Sequence, residues 1–98
     1  MAFRDIFLLT RPPGCERTEL CLRLMEHCDH PVLYLAGDGV YNLLDEALII
    51  ESPGKVIACK EDLEARGVQA GEEVMVPEDF YQLLVEEMFA DGGRIYAF

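Results

Sequence analysis

Sulfur supplies the clearest chemistry in this sequence. Its four cysteines are Cys15, Cys21, Cys28 and Cys59, and no two of them stand in a C-x-x-C spacing. A cysteine reacts through its thiolate, so its surroundings decide whether it is reactive or inert. Cys59 closes the apolar run KVIAC (55–59) and directly precedes a helical segment. Backbone N–H groups at a helix start favour an anion and would lower the pKa of a thiol placed there. Lys60 works in the same direction, while Glu61 and Asp62 oppose it. The competing role is a small buried hydrophobe, which free cysteine often is. Cys21 and Cys28 share a stripe with Leu24 and Met25 at i, i+3, i+4 and i+7, where core packing is the default. Cys15 lies in the polar loop TRPPGCER and is expected to be the most exposed thiol.

Other chemistries find little support. His27, Cys28, Asp29 and His30 are adjacent near a helix end, where they do not converge as tetrahedral ligands, and no second cysteine pair completes a site. No metal and no cofactor is expected. Gly37-Asp38-Gly39 lacks both G-x-G-x-x-G and a P-loop lysine, so it reads as a turn between a strand and a helix. There is no G-x-S-x-G, no H-E-x-x-H and no paired-carboxylate pattern, which argues against a hydrolase.

Positioning these residues requires alternating strands and helices. Asp5–Leu9 reads as a buried strand, and the Pro/Gly-rich loop after it leads into a helix that Thr18 or a neighbour can cap. Pro31–Ala36 is a second strand, and Val40 to about Ile49 is expected to be helical. Lys55–Cys59 is a third strand, and Glu61–Arg66 a short helix stopped by Gly67. Glu73–Val76 is a fourth strand. A helix with Pro77 in its first turn then runs to about Ala90, burying Phe80, Leu83, Leu84 and Phe89. Arg94–Phe98 closes the set as a fifth strand. This alternation predicts a three-layer α/β/α sandwich around a mostly parallel five-stranded sheet, in one domain spanning 1–98. In such sheets ligand chemistry gathers at the carboxyl ends of the strands, where Arg11, Cys15, the Asp38-Gly39 turn and Cys59 all fall.

Charge narrows the partners. The net charge is −11, and it is uneven: four Arg face five acids up to His30, then Lys55, Lys60, Arg66 and Arg94 face fourteen. Such a surface repels phosphate backbones, so direct nucleic-acid binding is not expected. It favours steering toward a basic partner. The opening MAFRDIFLLT carries Asp5 and no cleavage-site pattern, and no apolar run approaches the ~20 residues that span a bilayer. A cytoplasmic protein with reduced thiols, and no membrane association, is the expectation.

Four segments carry a resemblance. LYLAGDGVYNLL (33–44) is similar to the "apolar strand, then D-G-V/I-Y/T" segment of DsrH/TusB proteins, and VIACKEDLEARG (56–67) to their "strand, x-x-D-L-x-A-R-G" segment. The helix TELCLRLMEH after Arg11 and Pro13 resembles the opening of DsrH, and IYAF (95–98) its aromatic ending. The chain thus resembles a member of the DsrE/DsrF/DsrH-like superfamily of sulfur-relay subunits. The resemblance implies small α/β subunits that assemble with DsrE/DsrF-like (TusD/TusC-like) partners, or with themselves, and pass persulfide sulfur between carrier proteins. The pathway would be 2-thiouridine synthesis at the tRNA wobble position or sulfur oxidation. By position, Cys21 matches the helix cysteine of DsrH. Cys59 stands where DsrE and TusD place their persulfide-carrying cysteine, seven residues before Arg66-Gly67, whereas DsrH and TusB typically have an aliphatic residue there. The stretch between Leu44 and Lys55 is also shorter than in those relatives.

Three functions stay open on this basis. One is a sulfur carrier using Cys59, alone or with Cys21, at most a sulfurtransferase-type activity. Another is a non-catalytic structural subunit whose cysteines only pack. The third is a stand-alone homo-oligomer that senses redox state through its thiols.

Overall fold

The computed structural model of the chain describes residues 5–44, 54–89 and 94–98. Within them the strands are β1 (Asp5–Leu9), β2 (Pro31–Leu35), β3 (Lys55–Ala58), β4 (Val74–Met75) and β5 (Arg94–Ala97). The α-helices are α1 (Glu16–Glu26), α2 (Lys60–Arg66) and α3 (Phe80–Met88), and Gly37–Leu44 forms a 3-10 helix. The strands make one sheet in the order β4-β3-β2-β1-β5, and every pairing is parallel.

That order dictates which face each helix covers. From β1 to β4 the chain steps one way across the sheet, then returns past β1 to reach β5. Right-handed crossovers put connections of opposite direction on opposite faces. One face accordingly packs Phe7, Leu9, Leu33, Leu35, Val56 and Ala58 against Cys21 and Met25 of α1, Val40 and Leu43 of the 3-10 helix, and Leu63 of α2. The other packs Ile6, Val32, Tyr34, Ala36 and Ile57 against Phe80 and Leu84 of α3. With both faces covered, β2 is buried along its whole length and reads as an unbroken apolar run rather than an alternating one. The three-layer arrangement is the one anticipated from the sequence.

Several local expectations need correction. The first helix takes Cys15, not Thr18, as its N-cap. Thr18 is buried in the first turn, and its hydroxyl donates back to the Pro12 carbonyl at 2.7 Å, tying down the loop. The segment after Gly37 is a 3-10 helix rather than an α-helix starting at Val40, and the expected continuation to Ile49 lies outside the described residues. Gly39 explains why that helix sits so close to β1: a Cβ there would fall inside the van der Waals envelope of the Leu9 carbonyl. Asn42 then anchors the turn by donating to the carbonyls of Gly39 (2.9 Å) and Arg11 (3.0 Å).

The last helix starts at Phe80, with Asp79 as N-cap, so Pro77 precedes it. Its inward face is Phe80 and Leu84, with Leu83 half-buried. Phe89, expected in the core, is 84% exposed, because it continues the outward stripe of Tyr81 and Val85 at i+8 and i+4. Gly67 ends α2 in the left-handed conformation (φ 65°) that the sequence position called for.

Candidate functional site

Parallel strands all end on one edge of the sheet, and so all their following helices begin there. Cys59 occupies that edge as the N-cap of α2, with extended backbone (φ −76°, ψ 118°) immediately after β3. Its N–H donates to the Leu35 carbonyl at 3.0 Å, and its own carbonyl accepts the Leu63 N–H at 3.0 Å. The residue is therefore fixed between β2 on one side and the first turn of α2 on the other. Its side chain is 4% exposed and joins the cluster of Tyr34, Ile57 and Phe80 on the α3 face.

Beside this thiol a cleft of about 440 Å³ opens between the beginnings of α2 and α3. Cys59, Lys60 and Glu61 line it from one side; Glu78, Phe80 and Tyr81 line it from the other. The Phe80 ring meets Tyr34 edge-on at 5.4 Å and Tyr81 edge-on at 5.0 Å, which sets the aromatic wall. Lys60 and Glu78 pair across the cleft at 3.0 Å. Sequence reasoning missed the wall formed by Glu78, Phe80 and Tyr81. The signal was present: a helix start after a parallel strand must lie on the same edge as Cys59.

Opposing effects act on the Cys59 thiol. Desolvation by burial raises its pKa above the ordinary 9.0 and is the largest influence. The backbone N–H groups of Asp62 and Glu61 act the other way and favour the thiolate, as a helix start should. A side-chain hydrogen bond to Asp62 and the charge of that carboxylate then add to the upward shift. The balance is a thiol that is protonated at neutral pH. Tyr81 is raised as well, first by desolvation and then by the negative charges of Asp62, Cys59 and Glu61.

Asp62 also holds the site together. Its Oδ2 accepts the Gly37 N–H at 2.8 Å, while its Oδ1 pairs with Arg66 at 3.4 Å one helical turn on. Arg66 Nε reaches Asp38 at 3.1 Å, and its guanidinium lies 6.0 Å from the Tyr41 ring. These contacts latch the Gly37-Asp38 turn after β2 to α2 after β3. They join the two segments, 33–44 and 56–67, that stood out in the sequence.

The structure separates Cys21 from Cys59. Cys21 is fully buried against α1's side of the sheet, and burial pushes its thiol up to about 12. The sheet stands between the two sulfurs, so they form no pair. Cys28 follows α1, donates its thiol to the Leu24 carbonyl at 3.2 Å, and is pushed up to about 11 by desolvation and then by Asp5. Cys15 is half-buried at the N-cap of α1. All four are free thiols. His27 and His30 are exposed, and among the described residues no group of His, Cys, Asp and Glu side chains is arranged to hold a metal. No helix among the described residues is long and apolar enough to cross a membrane.

Comparison with known proteins agrees with this architecture. The family model described as "DsrH like protein" matches residues 12–87, a span from the loop before α1 almost to the end of α3. No curated protein matches the chain.

Proposed function

The chain belongs to the DsrH-like protein family, whose members work in sulfur relay, and on that premise we propose that Cys59 carries sulfane sulfur between protein thiols. The observation that supports this reading most is the placement of Cys59 beside a 440 Å³ cleft at the carboxyl edge of the sheet. The transfer needs no metal and no oxidant. The Cys59 thiolate attacks the terminal sulfur of a donor persulfide, forming a new S–S bond at Cys59 and breaking the donor's own. The donor departs as a thiolate and takes up the proton that Cys59 gave up. Delivery is the same step in reverse, with an acceptor thiolate attacking the sulfur held on Cys59. Cys21, deep on the other face, has no part in this exchange and acts through packing. The chain works in the cytoplasm within an oligomer containing DsrE/DsrF-like subunits. The identity of the acceptor decides whether the sulfur enters tRNA wobble 2-thiouridine synthesis or sulfur oxidation.

A second reading has its own support. Cys59 is 4% exposed, and desolvation dominates its pKa, which suits a packing residue in a purely structural subunit. One experiment separates the two. After incubation with a persulfide donor, intact mass should rise by roughly 32 Da, one sulfur atom, in wild type and in Cys21→Ala but not in Cys59→Ser. Equal uptake by Cys59→Ser removes Cys59 as the carrier. No uptake by any form leaves the structural subunit.

A further inference from the structure

The cleft at Cys59 continues onto a surface that is exposed among the described residues. Three of the sheet's connecting helices cover one face, and α3 alone is assigned to the other among the described residues. Its inward residues are Phe80 and Leu84, yet its outward side is also apolar. Tyr81, Val85, Met88 and Phe89 recur at i, i+4, i+7 and i+8 and are 57%, 48%, 36% and 84% exposed. Such a stripe on a solvent-facing helix side is the pattern by which helices dock into apolar grooves. Met75 on β4 and Ile95 on β5 belong to the same sheet face, since each pairs in register with an inward residue of the α3 side, Ile57 and Ile6. Both are partly exposed as well. The stripe begins at Tyr81, which is also a wall of the Cys59 cleft.

Charge decides what can cover this stripe. Residues 78–89 contain Glu78, Asp79, Glu86 and Glu87 and no Lys or Arg. The adjoining cleft rim adds Glu61 and Glu64, and its Lys60 is already paired with Glu78. A two-fold contact with a second copy would oppose each patch to itself, acid against acid, in chains of net charge −11. A basic, apolar surface meets the same stripe with complementary charge.

We propose that the outward face of α3 is the docking surface for the sulfur-exchange partner, and that this partner is a different protein presenting an apolar groove or helix face rimmed by Lys and Arg. Seated on Tyr81, Val85, Met88 and Phe89, it covers the mouth of the cleft and brings its own sulfur to Cys59. The proposal rests on the reading of Cys59 as the sulfur carrier.

The test uses the purified chain with two helical probe peptides, each with a leucine face, one with lysines and one with glutamates elsewhere. The lysine peptide should bind at least about tenfold more tightly than the glutamate peptide and should lose that advantage at high salt. Phe89→Ser and Val85→Ser, both at exposed positions that leave the core intact, should each weaken binding by about tenfold. Glu86→Lys should weaken the lysine peptide alone. Bound lysine peptide should also slow iodoacetamide labelling of Cys59. Binding that ignores Phe89→Ser and Val85→Ser overturns the surface. A free chain that sediments as a dimer, dissociated by Phe89→Ser, overturns the choice of partner in favour of a second copy. Persulfide loading of the peptide-free chain is scored separately, so failure of Cys59 as carrier is distinguished from failure of the docking face.

Discussion

Asp62→Asn should move stability and thiol reactivity in opposite directions. The Asp62 carboxylate accepts the Gly37 N–H at 2.8 Å and pairs with Arg66, so it joins α2 to the turn after β2. A hydrogen bond to a charged acceptor is worth ~1.5–3 kcal/mol and a neutral one ~0.5–1.5 kcal/mol. The asparagine keeps an oxygen for Gly37 but loses the charge, so the expected cost of that bond is about 1 kcal/mol. For a chain of this size that lowers Tm by roughly 4–8 °C. The same carboxylate holds the Cys59 proton through a hydrogen bond and through its charge, while the Asp62 backbone N–H favours the thiolate. The substitution removes the two side-chain effects and leaves the backbone one. More thiolate at neutral pH follows, and Cys59 should be alkylated roughly three- to tenfold faster. The assay pairs urea denaturation with site-resolved mass spectrometry of iodoacetamide labelling at native conditions. Arg66→Met supplies the control, because it weakens the same latch yet leaves the Asp62 charge less neutralised. Labelling in that variant should not accelerate. If Arg66→Met and Asp62→Asn accelerate labelling alike, loosening rather than charge controls Cys59. If Asp62→Asn leaves both the melt and the labelling unchanged, the latch and the electrostatic account both fail.

Further outcomes follow from the same geometry. Cys59 labelling and sulfur uptake should climb about tenfold per pH unit from neutrality to beyond pH 9, with no plateau near pH 7; a plateau there would show that burial does not govern the thiol. Cys21 keeps its proton in the folded chain up to about 12, whereas the unfolded chain releases it near the ordinary 9.0. The folded state thus binds more protons in this window, so stability should fall as pH rises above 9, by ~1.4 kcal/mol per unit from this thiol. Urea melts across that range should show a shallower decline for Cys21→Ala. Gly39→Ala forces a Cβ against the Leu9 backbone and should cost about 3 kcal/mol or more. Gly14→Ala, at positive φ (85°) but with open space around it, should cost only about 1 kcal/mol, and equal losses would contradict the packing argument.

Much of this molecule is written locally. The run from Pro31 to Ala36 has no charged residue and no polar alternation, which suits a strand covered on both faces, and β2 is buried throughout. Asp5–Leu9 is read to the residue, and Gly67 stops α2 because glycine alone enters the left-handed region at no steric cost. The local chemistry of Cys59 was equally legible, since a thiol one residue before a helix meets that helix's free N–H groups wherever the helix is placed. The identities of the resembling segments pointed to the family whose model matches residues 12–87.

Tertiary structure decided the remainder. No spacing in the sequence says that Cys21 and Cys59 lie on opposite sides of a sheet, because face depends on the direction of each crossover and hence on the strand order β4-β3-β2-β1-β5. Nor does a helical pattern rank Phe80 above Phe89 for burial: both are large and apolar, and only the seating of α3 on Tyr34 and Ile57 turns one in and the other out. Cys59's environment was divided in the same way. The sequence determined the helix N–H groups that favour its thiolate, through covalent neighbours two and three residues away. Only the fold supplied Tyr34 and Phe80, whose packing removes water from the sulfur, and desolvation outweighs those neighbours.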